Sequence, residues 1–539
     1  MSITRSTDMD KAEPSSDLEK LPGGASRSPT SDEESLEVVE DIVADVSQQA
    51  QPQAELPFSK GRWAAFLNTM SAQAVVIILP TVGRDLGIPE ARVQWVVSAY
   101  NLAFGCFLLL WGRIADIFGR RRIFIWGSAW VAVTTAVNPF LPNEIAFDLF
   151  RGLQGLGAAA NVPTAIGILA TTFPPGKAKN YAISCYAAGA PLGAVFGNLI
   201  AGFVASYASW KWVFGVVAIM AAAITIAAIA IIPHPKHTLQ EEGATIRSSV
   251  DWIGAFLVTA GLFALLFALT EGNVVGWSTP WVPVLIVISV ALVVLFVFWQ
   301  RYLERTGKRA PIMKVSVFKS KRFSAAMMTM ALFFSSFNGY LVYATYFYQD
   351  YQGLSALQTT LRFLPTGVVG LVTAAIVSQL LAIVPAYIML AFGNLCVSVA
   401  CLLYAVPLPP NLIYWAAGFP AMVLSVFGAD VAWPCLILFT SRSLPQEDQA
   451  LGAALVNAMG QVGRAIGLAI ATAIQTAVMA RERGVSVEEV GRVEQWEDAS
   501  LQGIRAAEYL NFALGVGALA VVLFAFRGSG IIGKAGRPK

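Results

Sequence analysis

The sequence predicts an all-α polytopic membrane protein with fourteen spanning helices, and three observations carry that prediction. Of its 539 residues 56% are hydrophobic and 13% charged, with a mean hydropathy of +0.62, a balance incompatible with a soluble globular surface. Apolar windows recur from residue 61 onward, each long enough for the ~20 helical residues that cross ~30 Å of hydrocarbon. Lys and Arg gather in alternate connections, the pattern expected where basic loops stay cytoplasmic.

Taken in order, residues 1–58 are acidic and rich in Ser, Pro and Gln, and clusters such as Ser31-Asp32-Glu33-Glu34-Ser35 cannot bury enough apolar surface to fold. They read as a disordered cytoplasmic tail without a cleavable signal peptide, because Met1-Ser2-Ile3-Thr4-Arg5 lacks an apolar core. The expected helices lie near 61–82, 94–115, 123–141, 145–172, 181–204, 212–232, 252–270, 279–300, 323–348, 355–379, 384–405, 412–438, 449–478 and 509–527. Arg120 to Arg122, Lys177 with Lys179, and the segment Arg301 to Arg322 then share one side, which puts both termini in the cytoplasm. The acidic connection 481–508 falls outside.

Other residue counts exclude whole classes of chemistry. The net charge of +3 carries no basic patch that would read nucleic acid. Cys106, Cys185, Cys396, Cys401 and Cys435 lie in apolar segments without disulfide or metal spacing and read as small buried hydrophobes. His234 and His237 are the only histidines and share one loop, which leaves no imidazole set for a metal or for acid–base catalysis. No Gly-x-x-x-x-Gly-Lys-[Ser/Thr] loop occurs, so ATP is not expected to supply the energy directly. No cofactor, metal or enzymatic site is expected.

The most specific stretch is Gly112-Arg113-Ile114-Ala115-Asp116-Ile117-Phe118-Gly119-Arg120-Arg121-Arg122, set between two spanning windows. An ordinary basic loop accounts for the arginines but not for the Gly-x-x-x-Asp-x-x-Gly spacing. Further motifs are Arg151-Gly152-Leu153-Gln154-Gly155-Leu156-Gly157, Asp251-Trp252-Ile253-Gly254, Arg362-Phe363-Leu364-Pro365 and Gly463-x-x-x-Gly467. On these residues the stretch from about 60 to 530 resembles the fourteen-helix drug:proton antiporter branch of the major facilitator transporters, nearest to fungal aminotriazole-resistance-type exporters.

That resemblance implies an N-terminal six-helix bundle at 59–232, a linker and two extra helices at 233–300, and a basic cytoplasmic loop at 301–322. A C-terminal bundle at 323–527 and a cytoplasmic tail at 528–539 complete it. It implies bundles that rock about a central site, with Gly112, Asp116, Gly119, Arg120 and Arg121 as a conformational motif. Two departures stand out: Ser71, nine residues before Pro80 of the Leu79-Pro80 pair, occupies the position where the family usually has Asp. Helix 5 reads Gly193-Ala194 and Gly197-Asn198 where the antiporter signature has Gly-Pro and Gly-Gly. No sequence repeat links the halves.

Ionisable groups inside a membrane cost several kcal/mol unless paired or wet, so those present are the first candidates for proton coupling: Arg151, Asp430 and Arg464. Asp430 and Arg464 fall on helices the family places in one bundle, and an ion pair between them is expected, structural or proton-linked. Asn457, Gln461 and Arg464 form one polar stripe at i, i+4 and i+7. Gly189, Gly193 and Gly197 leave one face of helix 5 bare, for gating or for plain packing. Phe333, Phe337 and Tyr340 share a face of helix 9, with Asn338 beside them, as an aromatic cavity wall. Asn68, Gln73, Tyr100, Gln154, Asn161 and Asn198 are the polar cavity candidates of the first half.

The reading is a secondary active transporter, monomeric, that exports a small organic molecule (a drug, toxin or secondary metabolite) by alternating access, with protons as the coupled species. A facilitator or nutrient importer of the same fold, and a non-transporting sensor, are the alternatives. The plasma membrane is the expected location, a vacuolar membrane the alternative.

Overall fold

The computed structural model describes residues 62–88, 95–173, 177–232, 250–307, 309, 311–406, 409, 413–444 and 449–531. The expectations for residues 1–58, for the histidine loop and for the tail beyond 531 lie outside the described residues, as do the side chains of Gln73 and Asn198. Fourteen long helices follow one another: α1 Arg62–Asp85, α2 Trp95–Phe118, α3 Arg120–Val137, α4 Glu144–Thr172, α5 Lys177–Tyr207, α6 Lys211–Ile231, α7 Trp252–Val275, α8 Trp281–Thr306, α9 Lys321–Tyr346, α10 Ala356–Leu380, α11 Ala386–Ala405, α12 Gly418–Ser443, α13 Gln449–Arg483 and α14 Asp498–Ala525. Thirteen of these, α2 to α14, are long and apolar enough to cross a membrane, and α1 matches α2 in length at 24 residues.

The largest departure from the expected boundaries is α14, which starts at Asp498 rather than near 509. Ala499, Leu501, Ile504 and Ala507 are buried at helical spacing, and Asp498 places negative charge in the first turn, so the segment read as acidic loop continues the helix outward. What remains of the loop is tied down by Arg483, whose Nε donates to Glu497 Oε1 at 2.9 Å and whose Nη2 donates to Arg492 O at 2.9 Å. The Arg483 hydrogen bond holds the Glu497 carboxyl below the usual glutamate range.

The described residues form two six-helix bundles with two inserted helices. In the first, α1 packs on α5, α2 on α4, and α3 on both α4 and α6; in the second, eight helices later, α9 packs on α13, α10 on α12, and α11 on both α12 and α14. The bundles meet along α2 with α13 and α5 with α10, and α7, paired with α8, rests against α2 and α13. The internal repeat absent from the sequence is therefore present in the pairing. It is carried by small residues: a Cβ at Gly197 of α5 would stand 2.7 Å from Met70 O of α1, and one at Gly463 of α13 would run into the Ala331 carbonyl of α9. With lipid as the solvent, such backbone contact supplies the helix–helix attraction.

The inserted pair is anchored by the Asp251-Trp252-Ile253-Gly254 motif. Asp251 Oδ1 accepts from Gly254 N at 2.9 Å, capping α7, and also from Trp299 Nε1 at 2.9 Å, while Oδ2 accepts from Gln300 Nε2 of α8 at 2.7 Å. α8 leaves Val284, Val287, Val290, Val294 and Phe298 exposed, a face suited to lipid. One cysteine departs from expectation: Cys185 is exposed on α5, whereas the other four are buried.

Gly463→Leu is expected to remove folded protein, because the new side chain meets backbone rather than a movable group and overpacking of this kind costs about 1–3 kcal/mol or more. Size-exclusion profile and unfolding temperature in detergent check this. Gly202→Leu is the control, since a Cβ there meets nothing within 4 Å.

Candidate functional site

At one end of the molecule the Asp116 hinge ties the bundles together. α2 ends at Phe118 and α3 begins at Arg120, with Gly119 between them at φ +98°, a backbone conformation glycine adopts without a Cβ clash. That short turn places Arg120 beside Asp116, whose Oδ1 accepts from Arg120 Nε at 3.0 Å and Nη2 at 2.8 Å. Oδ2 accepts from the backbone N–H of Leu451 at 2.9 Å, in the first turn of α13. Helix starts leave such N–H groups unpaired and favour negative charge, so one carboxylate joins the two bundles. Arg121 closes the last turn of α6 through Ile232 O at 2.7 Å and Ile229 O at 2.9 Å. Gly112 is buried on α2 above them.

A second tie crosses between the bundles through Lys179. Buried near the start of α5, its Nζ donates to Ala170 O at 2.8 Å and to Ser441 Oγ of α12 at 3.4 Å. The sequence reading treats Lys179 only as a cytoplasmic loop charge; its buried role has no signal in the local sequence.

Within the first bundle Arg151 organises a network drawn from α1 to α4. The side chain is wholly buried and does not snorkel. Nε donates to Val96 O at 2.8 Å, Nη1 to Gln154 Oε1 at 2.5 Å, and the guanidinium carbon lies 4.8 Å from the Tyr100 ring centre. Gln154 Nε2 in turn donates to Ser71 Oγ at 2.8 Å and Thr135 Oγ1 at 2.7 Å. Tyr100 donates its hydroxyl to Asn68 Oδ1. Ser71, standing where the resemblance leads one to expect Asp, thus accepts a neutral hydrogen bond. Asn161 lies apart, accepting from Ser128 Oγ at 3.3 Å in the α3–α4 contact. Gly189, Gly193 and Gly197 are all buried along α5, and at Gly197 the bare face meets α1 of the same bundle.

In the second bundle the expected ion pair does not form: among the described residues neither Asp430 nor Arg464 is joined to the other. Asp430 is buried in α12 with Oδ2 unpartnered. Arg464 places its guanidinium 4.4 Å from the centre of the Phe334 ring, with Nε unpartnered. Adjacent helices do not guarantee facing side chains, and here the arginine turns to α9 instead. Phe334 also meets Trp433 edge to face at 6.4 Å, and Trp433 lies 5.9 Å from Tyr186 of α5. An aromatic cluster therefore bridges the bundles, and Trp433 Nε1 and Tyr186 OH are buried without partners. Trp433 and Tyr186 were not singled out in the sequence, although Trp433 follows Asp430 by three residues, on the same helical face.

Phe333 and Phe337 stack at 6.0 Å beside this cluster, with Asn338 half-buried next to them. Tyr340 turns away toward α11 and α12, with its hydroxyl on Met422 Sδ at 3.5 Å and its ring 5.6 Å from Tyr404. Gln461 packs beside Gly105 in the α2–α13 contact, and Asn457 bonds back to Ala453 O of its own helix at 2.8 Å.

Paired six-helix bundles, a charged tie across one end and a polar aromatic cluster between them define a multi-pass membrane transporter. The model of the Major Facilitator Superfamily matches residues 63–318 and 308–468, and the chain belongs to that superfamily. It is 29% identical over 453 residues to the low affinity ammonium transporter of Saccharomyces cerevisiae, covering 83% of this chain and 84% of that one. It is 28% identical over 454 residues to the efflux pump terJ of Aspergillus terreus, covering 84% and 83%. The fold matches the crystal structure of the human organic anion transporter MFSD10 with a TM-score of 0.63 at 14% identity, covering 88% of this chain and all of the other.

Asp116→Asn is expected to leave membrane insertion and folded yield unchanged while slowing transport. Losing the charge from this hydrogen bond weakens the tie by about 1–2 kcal/mol, roughly a five- to thirtyfold shift in a two-state balance. Wild-type turnover at matched expression would remove Asp116 from any part in the bundle movement.

Proposed function

We propose that this protein exports a small organic molecule with aromatic surface by alternating access, driven by inward proton flow. The observation that supports this most is the cluster of Tyr186, Phe334, Trp433 and Arg464 between the bundles, where three buried donors lack partners. Aromatic walls with a few unpaired polar atoms suit a flat, largely apolar ligand carrying a hydrogen-bond acceptor. A relative whose name is that of an efflux pump supports the outward direction. Asp430, buried one helical turn from Trp433 with an unpartnered oxygen, is the group we assign to the proton; a lone carboxylate in such a place gains by being neutral and must change state when the cavity opens to water. On the basic-loop argument both termini are cytoplasmic and the Asp116 tie closes the cytoplasmic end, most naturally in the plasma membrane.

A second reading is facilitated flow without protons. It is favoured by Ser71, whose neutral hydrogen bond with Gln154 fills the place of a usual family acid, and by the similarity to an ammonium transporter.

Proteoliposomes with and without an imposed pH gradient decide between them, using ethidium as the aromatic probe and methylammonium as the small one. The expected result is pH-driven accumulation of ethidium by the wild type, lost in Asp430→Asn while energy-independent exchange persists. Equal ethidium flux with and without the gradient would establish the facilitator, and concentration of ethidium by Asp430→Asn would move the proton elsewhere. Methylammonium flux alone would overturn the aromatic substrate class.

A further inference from the structure

Away from the aromatic cluster a second acid is buried in α14. Glu508 is wholly buried roughly three turns into the helix that begins at Asp498. Its Oε2 accepts from Asn511 Nδ2 at 3.2 Å, and its Oε1 has no partner. The Asn511 amide oxygen, wholly buried as well, has none either. One carboxyl and one amide thus share a single hydrogen bond, and the two atoms left over are both acceptors.

Nothing charged among the described residues compensates. The groups facing Glu508 are Tyr340 and Tyr343 from α9 and, from α11, Tyr404 and the Cys401 thiol, a weak neutral donor toward the carboxyl. From α13, Arg464 lies over Phe334 instead. On α14 itself Arg505, one turn earlier, lines an outer crevice with Arg362, Tyr348 and Tyr404. On the α9 side the Asn511 amide is packed so closely on Gly339 that a Cβ there would overlap it. What fits is a proton. On Glu508 Oε1 it turns one stranded acceptor into a donor, which satisfies Asn511 Oδ1 and closes an acid–amide pair held by two hydrogen bonds in place of one.

We infer that Glu508 is a proton-binding site, loaded in this conformation and paired with Asn511. It is separate from Asp430 and does not depend on the direction or substrate of transport. Proton exchange is directed toward the crevice, where the hydroxyls of Tyr348 and Tyr404 meet at 2.5 Å and Tyr404 faces Glu508. The step is binding and release of H⁺ at one carboxyl oxygen and needs no co-reactant.

Infrared difference spectroscopy of the full-length protein in nanodiscs tests this through the C=O stretch of a protonated carboxyl at neutral pH, identified by its shift in heavy water. The band is expected in the wild type and in Asp430→Asn, and a component of it should vanish in Glu508→Gln. That substitution keeps the fold, since a glutamine amide forms both hydrogen bonds with Asn511 without a proton. Asn511→Leu gives an independent readout: the same component should move to higher frequency as the acid loses its partner. A Glu508→Gln spectrum identical to the wild type, or an unmoved band in Asn511→Leu, overturns the inference. So does a band lost entirely in Asp430→Asn, which would place the bound proton there.

Discussion

Everything in this molecule depends on how closely α5 approaches α1 and α13 approaches α9. Hydrocarbon offers no water to drive helices together and no partner for a bare backbone group, so attraction must come from contact between well-formed helices. Gly197 against Met70 and Gly463 against Ala331 supply that contact at equivalent places in the two bundles. The consequence reaches the moving parts, because α5 and α13 also contribute to the surfaces where the bundles meet. Helices locked inside a bundle carry the whole bundle when their outer faces slide, which is the condition for rocking as rigid bodies.

In both bundles the buried polar groups are partly paired and partly stranded. In the first, Arg151, Gln154, Ser71 and Thr135 bond to one another and Tyr100 bonds to Asn68, while Arg151 Nη2 and Tyr186 OH keep no partner. In the second, Asp430, Arg464, Trp433 and Glu508 each keep an atom without a partner. A stranded buried polar atom costs about 1–3 kcal/mol, so those gathered between the bundles and at Glu508 mark where a ligand or a proton has something to gain. The stranded donors that lie between the bundles come from both of them, Tyr186 from the first and Trp433 and Arg464 from the second.

Much of this was legible in the sequence because it depends on local pattern. Window length and hydropathy gave the helices, and the Gly-x-x-x-Asp-x-x-Gly spacing pointed to Asp116 because a one-residue turn and an i, i+4 acid–base pair are local geometry. Facing between distant helices is not local. Asp430 and Arg464 looked like partners from helix adjacency, yet rotation about the helix axis sets Arg464 on Phe334. Glu508 was hidden by a boundary: its neighbours Glu494, Glu497 and Asp498 read as loop, and only the buried alanines and leucine after Asp498 reveal that the helix has already begun. The repeat between halves was hidden because the contact needs only a small residue against a backbone, which leaves no shared motif.

The energy scale of the ties is that of individual binding events. The carboxylate of Asp116 on the start of α13 and the ammonium of Lys179 on Ser441 are both hydrogen bonds with a charged partner, a type worth about 1.5–3 kcal/mol each. Releasing both costs about 3–6 kcal/mol, and inverting a two-state balance from 1:99 to 99:1 takes about 5.5 kcal/mol. Filling the unpaired donors around Trp433 and changing the charge of one buried carboxyl are interactions of that same order. In the proposed proton-coupled cycle, binding of substrate and proton together is thus of the size needed to open this end.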